Sequence, residues 1–188
     1  PYLARVKAKR VSLHSPTTDI PVLWWRSVGN THTAFAMECM IDELAHAAGA
    51  DPLAFRLAIL DGQPRFVRAL QLAADQGGWG SAPPPGRARG LAIHESFGSI
   101  IAECAEVSVD GRRIVVHQVT AAVDCGTVVN PLGIEAQIQS SIAFGLSAAL
   151  HGKLDLAAGK VAQSNFHDYP VLRMPEARRV RGRAHSSC

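Results

Sequence analysis

Two short segments of this 188-residue chain combine residue types that bind anionic or oxo groups. The first is Arg26-Ser27-Val28-Gly29-Asn30, which precedes a predicted helix. A glycine lets backbone N–H groups approach a ligand, a helix N-terminus attracts an anion, and an arginine can hold a phosphate or oxo group with two hydrogen bonds. An ordinary turn before a helix has the same composition, so both interpretations stay open for this segment.

The second segment, residues 124–131, joins a predicted strand to a predicted helix. The strand ends at Cys125-Gly126, and Asn130-Pro131 supplies a capping residue followed by a proline at the first helical position. Ligands often bind where a strand runs into a helix N-terminus. Gln137, near the second turn of that helix, points its amide either at a ligand or into the helix packing.

No complete catalytic motif stands beside these segments. The sequence has no G-x-S-x-G, H-E-x-x-H, G-x-G-x-x-G or Walker motif. His94-Glu95-Ser96 places a base, an acid and a hydroxyl in a row, but a triad needs side chains that converge from separate segments. Glu103 and Glu106 face opposite sides of a predicted strand, so they do not form a catalytic carboxylate pair.

Cysteine and histidine spacing excludes the common metal and redox motifs. Cys39, Cys104, Cys125 and Cys188 are far apart, with no C-x-x-C pair, and the eight histidines are scattered. We therefore expect buried free thiols in a reducing compartment.

The formal charge of +3 is divided unevenly. Residues 1–10 and 173–188 each contribute +4, and the body between them is −5. A nucleic-acid partner would depend on the tails alone, which have no aromatic platform, so no nucleic-acid binding is predicted. The longest charge-free run, 136–152, is too short and too polar for a membrane span.

The two segments must be positioned by the helices and strands around them. The order of these elements, with helices first and then a mixed sheet with a packed helix, indicates an α+β fold. A single polar stripe on the first helix indicates a mostly buried element, with Thr31 or Thr33 as its cap and Gly49 at its end. Asp110-Gly111 is a hairpin signal. Residues 1–25 and 165–176 are expected to be extended or irregular. The predicted helices are Thr33–Ala48, Asp51–Asp61, Arg65–Gln76 (opened by Pro64) and Asn130–Leu150, and the predicted strands are Leu91–Ile93, Ile100–Val109, Ile114–Val123 and a hairpin over Leu154–Val161.

Eight motifs in order resemble a known family. They are WWRSVGNTHTAFAME, IDELA, DPLAFR, RGLAIHESFGS, AEVSVDG, AAVDCGTVVNPxxxEAQI, GLSAAL and QSNFHDYPVLRM. The chain resembles the molybdopterin-binding large subunit of the xanthine dehydrogenase/aldehyde oxidase family, in the branch of isoquinoline 1-oxidoreductase beta subunits and similar bacterial aldehyde dehydrogenases. The likeness spans roughly residues 2–176.

The resemblance implies a molybdenum hydroxylase. Such an enzyme hydroxylates an N-heterocycle or an aldehyde with oxygen from water, and its electrons leave through [2Fe–2S] clusters on a separate small subunit. It also implies a molybdenum cofactor of the molybdopterin cytosine dinucleotide type, a hetero-oligomer, and a bacterial cytoplasmic or periplasmic location.

Site residues are carried over by position in the motifs. The resemblance implies that Arg26, Ser27, Val28 and Gly29 form the arginine loop that contacts the cofactor, and that Gln137 contacts its pterin or nucleotide part. Gly126 and Asn130, with Asp124, match the loop before that helix, where shaping the loop and contacting the cofactor are both open. His94–Ser99 matches a strand-entry segment near the cofactor.

Two departures from the family pattern concern the ends of the chain. A G-G-G-F-G type loop is absent, and so is the G-x-G-E segment that carries the family's catalytic glutamate. Residues 177–188 are Arg/Ser-rich and resemble an out-of-frame reading. We therefore expect that this chain is a C-terminal fragment of a molybdenum subunit and is inactive alone. Its expected parts are an extended segment with helices of the cofactor-binding domain in 1–76, a linker in 77–90, a strand-rich part of the same domain in 91–176 and a non-native tail in 177–188. The competing hypothesis is a cofactor-free scaffold that binds a partner.

Overall fold

The computed structural model describes residues 2–20, 22–177 and 180–182, and it confirms the α+β class. A short 3₁₀ helix over Tyr2–Arg5 is followed by residues 6–20 and 22–29, which contain turns and bends but no helix or strand. The α-helices are α1 (Asn30–Ala47), α2 (Pro52–Ile59), α3 (Pro64–Gln76) and α4 (Pro131–His151), and the strands are β1 (Arg87–Ser96), β2 (Ser99–Asp110), β3 (Arg113–Asp124), β4 (Leu156–Ala157), β5 (Lys160–Val161) and β6 (Val180–Gly182).

The start of α2 and the end of α1 have the caps that the sequence predicts. Asp51 caps α2, because its Oδ1 accepts hydrogen bonds from the N–H groups of Leu53 and Ala54 at 3.0 and 2.9 Å. Gly49 ends α1 in a left-handed conformation, with φ of 61°. Its N–H donates to His46, and the next N–H donates to Ala45, which is the Schellman pattern.

The predicted start and cap of α1 are wrong. The helix begins at Asn30, three residues before Thr33, and no side chain caps it. The Thr31 hydroxyl donates instead to the carbonyl of Arg26, and the Thr33 hydroxyl donates to the carbonyl of Gly29. Both threonines therefore tie the preceding loop to the helix.

The main sheet has the strand order β1-β2-β3-β6, with the first three strands antiparallel. The Asp110-Gly111 hairpin is confirmed. β1 begins at Arg87 rather than Leu91, because it pairs with β2 along its whole length and the Arg87 and Arg89 side chains bond to Glu106 on that neighbour. A bulge interrupts the pairing of β2 and β3 after Glu106.

Helices pack on both faces of this sheet. On one face, α3 buries Leu70 and Ala73 against Ile100, Ala102 and Ala122. On the other face, α4 buries two isoleucines against alternate residues of β3; this second cluster consists of Ile138, Ile142, Val119, Ala121 and Val123. Successive residues of β3 belong in turn to the two clusters, as expected for a strand whose side chains alternate between two covered faces.

The segment 77–86 is packed closely at its start. A Cβ on Gly77 would lie 2.5 Å from the Sγ of Cys104, so the end of α3 approaches β2 more closely than a larger residue allows. The Trp79 indole N–H donates to Asp51 Oδ2 at 3.0 Å. These contacts fix both the chain that leaves α3 and the N-terminus of α2.

The expectation that α1 is mostly buried is wrong. Only Glu38, Ile41 and Ala45 are buried, and Phe35 is 72% exposed. Glu38 turns inward because Arg56, which is fully buried on α2, donates to its carboxylate at 3.1 Å. Glu38 Oε2 also accepts the N–H of Ile93 at 3.1 Å, so the polar side of α1 covers the edge of β1.

Two other expectations meet the structure only in part. Cys39, Cys104 and Cys125 are free thiols, but Cys39 is exposed and only Cys104 is buried. Most of the predicted non-native tail, residues 178, 179 and 183–188, lies outside the described residues, whereas 180–182 pair in parallel with β3. Within the part of the chain that the structure describes, no helix is long and apolar enough to cross a membrane.

Candidate functional site

A cavity of about 840 Å³ lies between the start of α1, the preceding loop and one face of α4. Arg26 and Ser27 line it from the loop, and Gln137 lines it from the helix. The structure thus brings together two segments that are more than 100 residues apart in the sequence. The volume falls in the range of small-molecule and cofactor pockets, about 300–1,000 Å³.

Aromatic contacts hold the loop against α4. The rings of Trp25 and Phe144 have centroids 5.1 Å apart, and the Arg26 guanidinium carbon lies 4.9 Å from the centre of the Phe144 ring. Gln137 and Phe144 are seven residues apart, so two helical turns place both on the same face. Phe144 was not among the predicted site residues, although its spacing from Gln137 was a signal for it, and Trp25 entered only as part of the motif that contains Arg26.

Small residues of α4 leave room for the cavity. Ser140, Ser141, Gly145, Ala148 and Ala149 all line it. A helix face this rich in Gly, Ser and Ala often packs closely against another element. In the described residues it borders open space instead, and the isoleucines of the opposite face pack on the sheet.

The loop before α1 has a strained backbone. Ser27 and Val28 adopt left-handed φ values of 66° and 51°, which are uncommon outside glycine and rarest for a β-branched residue such as valine. Hydrogen bonds hold this shape, since the Val28 N–H donates to Trp25, the Asn30 N–H donates to Ser27, and the Ser27 hydroxyl bonds to Thr31. Gly29 itself has an ordinary φ of −66°, so the unusual backbone conformation lies at the two residues before it.

Relief of this strain gives a testable prediction. We expect Val28→Gly to raise the free energy of unfolding by up to about 1 kcal/mol, because glycine adopts a left-handed φ without the roughly 1–2 kcal/mol penalty that other residues incur. Val129→Gly is the matched control, since Val129 lies in an exposed loop without a positive φ and its replacement should slightly lower stability. Denaturant unfolding of both variants measures the difference. A loss of stability in Val28→Gly would contradict the assignment of strain.

An ion pair anchors the second predicted loop. Asp124, buried at the end of β3, receives hydrogen bonds from Arg65 Nε at 2.9 Å and Arg65 Nη2 at 2.8 Å. The same arginine donates to the carbonyl of Gly98 in the β1–β2 turn at 3.3 Å. Asp124 Oδ1 also accepts the N–H of Gly126 at 3.2 Å, and Gly126 has a left-handed φ of 78°. Asp124 therefore shapes the loop. Arg65, a residue that no sequence motif indicated, joins that loop to the neighbouring turn.

The remaining predicted residues lie outside the cavity lining. Asn130 caps α4 through a hydrogen bond from the Gly133 N–H to its Oδ1 at 3.2 Å. His94 Nε2 lies 2.9 Å from Asn30 Oδ1, and burial lowers the pKa of His94, so its neutral ring fixes β1 to the start of α1. Val28, Gly29, Gly126 and Asn130 do not line the cavity, whereas Arg26, Ser27 and Gln137 do.

Hydrogen-bond donors are available at the cavity wall. Among the described residues, neither the Arg26 guanidinium nor the Gln137 amide has a hydrogen-bond partner on another side chain, and both groups line the cavity. A guanidinium and a primary amide can bind the anionic oxygens and the amide edges of a large polar ligand. The aromatic rings beside them supply an apolar surface.

Several known proteins are similar to this chain in sequence. A family model described as the molybdopterin cofactor-binding domain matches residues 62–178. The chain is 33% identical to the beta subunit of isoquinoline 1-oxidoreductase from Brevundimonas diminuta, with 93% of this chain and 23% of that protein covered. It is 32% identical to one of the subunits of nicotinate dehydrogenase from Pseudomonas putida, with 89% and 16% covered. The chain thus spans less than a quarter of the length of these relatives.

Solved structures give weaker likenesses. A Cu,Mo-CO dehydrogenase is 20% identical, with a TM-score of 0.44 over 47% of this chain and 12% of that one. Quinoline 2-oxidoreductase from Pseudomonas putida 86 is 23% identical, with a TM-score of 0.42 over 47% and 11%. The family model covers more than half of the residues, and the chain therefore belongs to the family of molybdopterin cofactor-binding domains.

Proposed function

We propose that this chain is part of the large subunit of a molybdenum hydroxylase, and that it holds the molybdenum cofactor between the Arg26 loop and α4. One observation carries the proposal: Arg26 and Ser27 of the arginine loop line the same cavity as Gln137, although the family resemblance implicates the loop and the glutamine separately. The donors that line this cavity have the chemistry that a pterin-based, phosphate-bearing group requires.

The protein's share of the chemistry is binding and orientation. Arg26 and Ser27 hold the polar groups of the cofactor, Val28 and Gly29 shape the loop that carries them, and Gln137 holds the pterin or nucleotide part. Gly126 and Asn130 shape the loop that leads into α4, the helix that carries Gln137. When bound, the cofactor supplies the two-electron oxidation that hydroxylates a carbon with oxygen from water.

The same proposal includes a complete enzyme that contains more than this chain. The relatives are named isoquinoline 1-oxidoreductase and nicotinate dehydrogenase, which favours an N-heterocycle as substrate, and the family resemblance also allows an aldehyde. A small [2Fe–2S] subunit receives the electrons, the cofactor is of the cytosine dinucleotide type, and this chain alone does not catalyse.

Metal and pterin analysis of the complete purified enzyme tests the proposal. We expect molybdenum and a pterin in roughly equimolar amounts with the large subunit, together with hydroxylation of isoquinoline or an aldehyde. A stable complex that contains neither molybdenum nor pterin would show that the chain is a cofactor-free scaffold.

A further inference from the structure

A second cavity, of about 380 Å³, lies between α1 and the strands β1 and β2. Its wall is largely apolar, with Phe35, Ala92 and Ile101 among the lining residues, and Glu103 contributes a carboxyl group to it. Phe35 also lines the larger cavity that contains Arg26 and Gln137, so the two cavities meet at this side chain.

Glu103 is an unusual residue at this place in the sheet. Its side chain faces the cavity from the centre of β2, and its cross-strand neighbours are the small residues Ala92 and Ala121. It is only partly exposed, and no described residue forms a hydrogen bond or ion pair with its carboxyl group. Glu106 belongs to the other face, where Arg87 and Arg89 bind it. The two glutamates are separated as the sequence indicates, but Glu103 has no partner among the described residues.

Burial favours the neutral form of this carboxyl. Because the charged form is poorly solvated, burial raises the pKa of Glu103. The other ionisable groups on the cavity wall are Glu38 and Asp42, both bound to Arg56, His94, which is bound to Asn30, and the exposed free thiol of Cys39. None of them offers Glu103 a counter-charge. A neutral carboxyl is a hydrogen-bond donor through its O–H as well as an acceptor.

We propose that Glu103 is the hydrogen-bonding anchor for a flat aromatic N-heterocycle bound in this cavity, an inference that rests on the proposed function. The neutral carboxyl donates its O–H to the ring nitrogen, and Phe35 and Ile101 enclose the apolar remainder of the ring. An apolar pocket with one well-placed polar group is the usual form of a specific small-molecule site. A carboxyl that the fold itself does not use lowers stability, and a binding role accounts for its presence.

Equilibrium binding to the complete enzyme tests this inference, with isoquinoline and its nitrogen-free analogue naphthalene as probes. The wild type is expected to bind isoquinoline about tenfold more tightly than naphthalene, because one net hydrogen bond contributes about this difference in affinity. Glu103→Leu should reduce this preference to about one, and Glu103→Gln should keep part of it because the amide still donates. Glu43→Gln, an exposed change on α1, is the matched control and should leave the preference unchanged.

Two further readouts separate binding from structure. The preference of the wild type should fade as the pH rises through the raised pKa of Glu103, whereas the Gln variant should show no such dependence, both measured where the ring nitrogen is unprotonated. Glu103→Leu should not lower thermal stability. An unchanged preference in the Leu variant, or a marked loss of its stability, would overturn the proposal. Molybdenum content of the same preparations tests the proposed function separately, since the binding preference does not depend on turnover.

Discussion

Arg56→Met is expected to lower the free energy of unfolding by about 3–5 kcal/mol, the usual cost of leaving a buried charge without its partner. Arg56 is fully buried and donates to Glu38 at 3.1 Å and to Asp42 at 2.6 Å. These bonds join α1 to α2, and Glu38 extends the network to the backbone of β1. Methionine fills a similar volume but leaves the Glu38 carboxylate buried without a counter-charge.

The pH dependence of this loss has a definite sign. Burial raises the pKa of Glu38, and the charge of Arg56 opposes that rise. Without Arg56 the pKa rises further, so the folded variant binds a proton more strongly than its unfolded chain and loses stability as the pH increases. The deficit should therefore be smallest below the ordinary glutamate pKa, about 4.3, and larger at neutral pH.

Two control variants isolate the buried charge. Arg68→Met removes an exposed arginine from α3 and should change stability by less than about 0.5 kcal/mol. The double change Arg56→Met with Glu38→Gln should recover part of the loss, because the uncompensated charge is gone. Chemical denaturation at acidic and neutral pH measures all of these differences. Equal losses in the Arg56 and Arg68 variants would rule out the buried pair as the cause.

Local signals in the sequence predicted most of the helices and strands. Asp51-Pro52, Asn130-Pro131 and Asp110-Gly111 set element boundaries through backbone chemistry that depends on neighbouring residues, and the structure confirms all three. The length of β1 was not predictable in this way, because its first residues form a strand only through pairing with β2. Long-range pairing overrides a weak local preference.

The site shows the same division between local and long-range information. Motif positions pointed to Arg26 and Gln137, and the structure places both at one cavity. The aromatic support from Trp25 and Phe144, and the clamp from Arg65 to Asp124, depend on segments that meet only in the folded chain. The burial of Glu38 was likewise hidden, because its partner Arg56 lies on another helix.

The second large effect concerns cofactor retention in the complete enzyme. Arg26→Ala is expected to weaken retention of molybdenum and pterin about tenfold to a hundredfold, since hydrogen bonds to charged groups contribute about 1.5–3 kcal/mol. Gln137→Ala removes a neutral amide and should weaken it by about tenfold or less. The measurement is the molybdenum and pterin content after repeated dilution and gel filtration.

Matched variants distinguish cofactor contact from general damage. Gln139→Ala changes a glutamine two residues along α4 that bonds to Glu135 and does not line the cavity, and it should retain the cofactor fully. Arg26→Lys keeps the charge but not the planar pair of donors, so its retention should be intermediate. If Arg26 and Gln137 contact different parts of one bound group, the double variant should lose the sum of the two effects. If Arg26→Ala and Gln137→Ala both retain the cofactor as fully as Gln139→Ala does, the cofactor must bind elsewhere.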